Sequence, residues 1–145
     1  MENLRSIIKN HIPEGIVLMD LLHNSGSDFV KVTIDSLNII TIKETSKIAK
    51  RIKNDDSIVS MFPNGCRLEV TTPGIGSSLL KKFQYEKNIG RNILLEYYES
   101  NSNLICDTFL LVDVKNEGIN VSKSKRNYYI AFESIKSAKI KISFD

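Results

Sequence analysis

Apolar positions recur along the chain in two rhythms, and the change between them falls near its middle. Leu4, Ile7 and Ile8 share one face of a short helix predicted over 2–11, which Pro13 and Gly15 end. Residues 16–22 form a dense apolar run, and 29–35 alternate with Val30, Val32 and Ile34 on one side. The turn formers of 23–28 lie between them, so the pair reads as an antiparallel hairpin. Thr41-Ile42-Lys43-Glu44 is a capping box, in which the Thr and Glu side chains each satisfy a backbone N–H at a helix start. The helix it opens runs to Lys53, with Ile42, Thr45, Ala49 and Ile52 along the packed side and Ile48 beside them. Asn54-Asp55-Asp56 closes it, a loop through Pro63-Asn64-Gly65 follows, and 66–72 alternate as a strand.

Beyond this point the pattern is almost entirely of period two. After a short helix predicted over 79–88, apolar segments recur at 93–98, 104–114, 119–122, 128–132 and 138–144. The last places Ala138, Ile140, Ile142 and Phe144 inward, and 133–135 allows one helical turn before it. Five short strands with a single turn before the last predict a small SH3-like or Sm-like barrel. The expected fold is thus α+β: an N-terminal α/β sandwich-like domain over 1–73, a joint and short connecting helix over 74–91, and a C-terminal SH3-like (Sm-like) five-stranded β-barrel over 92–145.

Charge sharpens the division. The chain of 145 residues carries a net +3. Nine basic and nine acidic residues precede Pro73, whereas eleven basic and eight acidic follow from it onward, so the whole excess lies in the second half. Cys66 and Cys106 form no CxxC pair and lie in apolar-alternating runs, where buried free thiols are expected. The N-terminal stretch lacks the apolar segment of a signal peptide, and no run of eighteen apolar residues occurs, so a cytoplasmic protein without a membrane partner is expected.

The stretch EVTTPGIGSSL, residues 69–79, gathers three of the chain's few glycines and prolines. Lying between a strand and a helix, it has the position of a dinucleotide-binding loop, but Leu79 stands where the third glycine would be and no second βαβ unit follows. No Gly-Lys-Ser/Thr occurs, which excludes a P-loop. Pro73 ends the strand, and Gly74 and Gly76 allow a sharp change of direction, so these three residues read as a domain joint.

Leu68-Glu69-Val70-Thr71-Thr72-Pro73-Gly74-Ile75 also closely resembles the LEVSSPGL motif of the RimP family of ribosome maturation factors. Val32-Thr33-Ile34-Asp35 with the capped helix that follows, the segment from Phe83 through Gly90-Arg91-Asn92-Ile93, and residues 130–140 are similar to further stretches of that family, in order. Two departures stand out. Gly76-Ser77 replaces the family's usual Asp-Arg, leaving any contact of that arginine absent or supplied by Lys81 or Lys82, and bulky residues around Phe109 replace a glycine early in the second barrel strand. The resemblance implies a non-enzymatic, cofactor-free assembly factor, expected to be monomeric, that binds the maturing small (30S) ribosomal subunit through 16S-type rRNA and a small-subunit ribosomal protein. The alternatives are a general RNA-binding or protein-interaction module of the SH3/Sm kind, and a nucleotide-dependent protein using Gly74 and Gly76.

Candidate contacts follow from charge. Lys43, Lys47, Lys50 and Arg51 form one helix face, which is either solvated or touches phosphates. Lys123, Lys125 and Arg126 crowd a predicted tight connector, and Lys81, Lys82 and Arg91 flank the joint. Most of Tyr97, Tyr98, Tyr128 and Tyr129 are expected in the barrel core, with stacking of unpaired bases as the other use. His11 and His23 stand alone as surface or turn residues, without metal-ligand spacing; the sequence does not pair Asp35 with Glu69 for acid–base work, and no catalytic or metal site is expected.

Overall fold

A computed structural model describes residues 2–74 and 76–141. The chain is α+β, with two sheets of mostly antiparallel strands, and separates into two compact units, Met1–Pro73 and Gly74–Asp145.

The first unit runs α1 (Glu2–Asn10), β1 (Val17–Asn24), β2 (Phe29–Asp35), α2 (Ile42–Lys53), α3 (Asp56–Met61) and β3 (Arg67–Thr71). β1 and β2 form the antiparallel hairpin, and β2 pairs in parallel with β3 across the helical connection. Parallel pairing needs such a crossover, and its helices cover the Val30, Val32 and Ile34 face of the central strand. Val30, Val32 and Ile34 of β2 meet Ile48 and Ile52 of α2, Ile58 of α3 and Leu4 and Ile8 of α1 in one core.

The capping box forms as its spacing requires: Thr41 Oγ1 accepts from the Glu44 N–H, and Glu44 Oε1 accepts from the Thr41 N–H. Ile42, expected on the packed side, is instead 84% exposed. At about 100° per residue it falls about 80° around the helix from Ile52, at the edge of the stripe, and it is the first residue of the helix. α3 was not expected. Asp55 does not simply close α2; its side chain accepts from the Ser57 N–H and starts a new helix that carries Ile58 into the core.

His11 and Asp55 are joined across this unit, with the ring Nε2 donating to Asp55 Oδ2 at 2.6 Å. That bond, helped by the Ser57 N–H, holds the Asp55 carboxyl below the usual aspartate range. A carboxyl that titrates lower when folded stabilises the fold above its ordinary range, and this contribution disappears as pH falls through the lowered value. Asp55→Asn is therefore expected to flatten the acid limb of this unit's stability between roughly pH 5 and 3, read as urea midpoints from helical circular dichroism.

The second unit contains α4 (Lys82–Glu86), β4 (Asn92–Tyr98), β5 (Leu104–Val114), β6 (Gly118–Lys123), β7 (Arg126–Ala131), a 3-10 turn (Phe132–Ser134) and β8 (Ile135–Ile140). Its strands form one antiparallel sheet in the order β7-β6-β5-β4-β8, leaving β7 and β8 at the edges. Ile93, Leu95, Phe109, Leu111, Ile119, Val121, Ile130 and Ala138 pack on one face together with Tyr85 of α4. Burial pushes the Tyr85 phenol up to about 12, so it stays neutral beside Phe132.

Two boundaries and the burial of one residue differ from expectation. α4 is shorter than 79–88, because Gln84 Oε1 accepts from the N–H groups of Leu80 and Lys81 and caps the helix there. β8 begins at Ile135 rather than 138, since the helical turn is completed by Ser134; Ile142 and Phe144 lie outside the described residues. Cys106, expected to be buried, is exposed opposite Glu96, one position out of step with the inward residues Ile105 and Phe109.

Candidate nucleic-acid interface

The cations of the first unit lie on α2. Lys43, Lys47, Lys50 and Arg51 are all exposed, and at about 100° per residue they span about 100° of its circumference, facing away from Ile48 and Ile52. Glu44, the acid nearest them on this helix, is engaged in the capping box. The result is an uninterrupted cationic stripe on a rigid element.

In the second unit the expected cluster Lys123, Lys125 and Arg126 is resolved into parts. Lys123 ends β6, Arg126 begins β7, and the two residues face each other across a two-residue turn of Ser124 and Lys125. Lys123 is not a free cation: its Nζ donates to Asp107 Oδ2, which with the Thr108 N–H holds that carboxyl below its usual range. Lys125 and Arg126 remain exposed at the tip.

Ser124 and Lys125 both take positive φ, 52° and 67°. This is the pattern of a type I′ hairpin turn, which matches strand twist but favours Asn-Gly, because an ordinary side chain in the left-handed region costs about 1–2 kcal/mol. A lysine therefore occupies a place where glycine would fold more easily. Lys125→Gly is expected to stabilise this unit by about 0.5–1 kcal/mol. If Lys125 also touches phosphate, the same substitution weakens RNA binding, and paired melting and binding measurements separate the two effects.

Lys81, Lys82 and Arg91 have partly structural surroundings. Lys82 Nζ donates to Asn116 Oδ1 at 3.1 Å, and Arg91 Nη1 donates to Asn88 Oδ1 at 3.3 Å. Asn88, buried, donates in turn to the Gln84 carbonyl. Arg91 is thus tied to the end of α4, while Lys81 stays exposed at its start. At the joint, the Ser77 N–H donates to the Gly74 carbonyl and Gly76 adopts φ +85°, a conformation that favours glycine; Ile75 of the resembling motif lies outside the described residues.

The tyrosines depart from expectation. Tyr98, Tyr128 and Tyr129 are 45%, 41% and 55% exposed, and Tyr97 is half-buried; only Tyr85 joins the core outright. They stand at the end of β4 and in the middle of β7, just before buried Ile130. Tyr97 and Tyr128 both pack against Phe109, with ring centroids 6.1 and 5.8 Å away. Nothing local in the sequence pairs Asp107 with Lys123 or groups these rings; both follow from strand register.

His23 lies in β1 rather than in a turn, with its ring edge-on to Phe62 at 5.3 Å. Asp35 accepts from the Ser36 N–H, and Glu69 stands opposite Lys31. Among the described residues, no group of three His, Cys, Asp or Glu side chains is placed to hold a metal ion, and no helix is long and apolar enough to cross a membrane. No protein-family model matches the chain.

Proposed function

We infer that this chain is a RimP-like, non-enzymatic factor for maturation of the small ribosomal subunit, acting in the cytoplasm by binding immature particles through rRNA and a ribosomal protein. The observation that carries this reading is the place of the residues that resemble the family motif. Leu68–Thr71 lie within β3, and the boundary between the two compact units falls between Pro73 and Gly74 of the same motif.

Strand order supports the finer fold. In the second unit the first strand of the sheet, β4, lies between the second and the last, and a 3-10 turn leads into the last. That is the connectivity expected of an SH3-like barrel, which we take this unit to be. The cationic stripe of α2 and the strained lysine turn supply two places for phosphate contact, which needs positive charge at suitable spacing rather than a shaped pocket.

Gradient fractionation of a lysate from cells producing the protein tests the reading. Migration with small subunits and their precursors is expected. Recovery only at the top of the gradient, or equally with large subunits, would reject ribosomal specificity and leave a general binding module.

A further inference from the structure

One cavity of the second unit has a lining that the RNA reading does not explain. It measures about 310 Å³ and lies between the end of β4 and β7, lined by Tyr97, Tyr98, Glu99, Tyr128, Tyr129 and Ser134 among others. This is near the lower end for ligand cavities, enough for a side chain or small group rather than a nucleotide cofactor. Four of the chain's 5 tyrosines are gathered here. The ionisable lining group other than phenols is the Glu99 carboxylate.

We propose that this pocket receives a positively charged side chain, an arginine guanidinium or lysine ammonium, from an extended basic segment of a protein partner. Aromatic faces attract cations through their quadrupole, best when the cation is partly desolvated, and a carboxylate at the rim adds a Coulombic partner. Stacked bases would exploit the same rings, but their phosphates would approach Glu99. The acids beside Tyr97 act on it in the sense a cation needs. Burial raises its phenol pKa first, the negative charges of Glu99 and Asp107 raise it further, and Lys123, already bonded to Asp107, opposes them.

The strand geometry suits an extended guest. β7 is bonded to β6 and stands at the edge of the sheet, and its residues Tyr128 to Ala131 form one wall of the pocket. A peptide laid along such an edge can add main-chain hydrogen bonds while alternate side chains enter pockets beside it. Tyr129 is held in place on this wall: a Cβ on Gly118 would stand 2.6 Å from its hydroxyl and 2.5 Å from the Ile130 carbonyl oxygen, so the bare glycine lets the ring lie close to β6. Phe109 supports Tyr97 and Tyr128 from within. Tyr97, Tyr128 and Tyr129 are thus packed against the fold, which lowers the ordering cost of binding.

The inference names the chemistry of the protein contact in the proposed function, but its test does not depend on ribosomes. The full chain is titrated with a capped Gly-Arg-Gly-Arg-Gly peptide, with the same peptide carrying citrulline for arginine, and with a short oligouridylate, while tyrosine ring NMR signals are followed. The arginine peptide is expected to shift the signals of Tyr97, Tyr98, Tyr128 and Tyr129 in a saturable way, with the citrulline peptide at least threefold weaker. Glu99→Gln and Tyr128→Leu should each weaken the arginine peptide by about 3- to 30-fold. If Tyr128→Leu fails to fold, the exposed Glu99→Gln carries the comparison. Equal binding of the citrulline peptide, absence of pocket shifts, or shifts caused by oligouridylate instead of the arginine peptide would overturn the proposal. Those outcomes would leave ribosome association, scored separately by gradient, untouched.

Discussion

Leu95→Ala is expected to lower the stability of the second unit by about 2–5 kcal/mol while leaving the first unit's unfolding where it was. Leu95 is fully buried in β4, between β5 and β8, so truncation removes apolar contact and opens a cavity that neighbouring strands cannot readily close. Ile52→Ala, equally enclosed in the other core, should do the reverse. The chain offers separate reporters. All 5 tyrosines lie after Gly74 and there is no tryptophan, so tyrosine fluorescence follows the second unit, whereas α1, α2 and α3 dominate the helical circular dichroism. In urea, Leu95→Ala should move the fluorescence midpoint down, or leave it at the unfolded baseline, with the helical transition retained. Coincident movement of both signals in either variant would show that the two cores unfold as one and would reject the view that each folds by itself.

The second large effect concerns binding. Reversing charge at the hairpin tip, with Lys125→Glu and Arg126→Glu together, is expected to weaken association with small-subunit RNA by about tenfold or more at physiological salt. Two lost phosphate contacts should also flatten the log–log salt dependence by roughly 1.4 to 1.8. Stability should change little, because both side chains are exposed and such substitutions usually stay within about ±0.5 kcal/mol. Lys123 is deliberately left in place. Its replacement by Glu would set two carboxylates together beside Tyr97 and confuse a binding loss with a local structural one. An unchanged affinity in the folded double variant would exclude the turn and move attention to the stripe of Lys43, Lys47, Lys50 and Arg51.

What could be read in the sequence was local. The capping box at Thr41 is legible because its two hydrogen bonds connect residues three apart. The alternation of Val30, Val32 and Ile34 is legible because one face of β2 is uniformly apolar and buried. α3 is not legible because it has six residues, less than two full turns, and its N-cap Asp55 stands in a polar run that reads as the end of α2. The exposure of Cys106 is not legible because Leu104, Ile105 and Cys106 are successively apolar, so the inward position cannot be chosen without the partner strand.

The candidate site shows the same limit. Its cations are visible by counting, but which of them is free depends on long-range pairing. Lys123 and Asp107 are sixteen residues apart, and only the β5–β6 pairing brings them together. The four tyrosines likewise come from strands separated by two others in the sheet. Their adjacency, and that of the acid beside them, belongs to the folded unit rather than to any segment.

Equilibrium binding of the labelled, purified protein to purified small and large subunits, measured across a salt series, tests the central claim most directly. Association with small subunits is expected, strongest for immature ones, with an affinity that falls linearly in log–log form with salt and a shallower slope for the Lys125→Glu, Arg126→Glu variant. Binding to neither subunit, or to both alike with the slope unaltered in that variant, would contradict it.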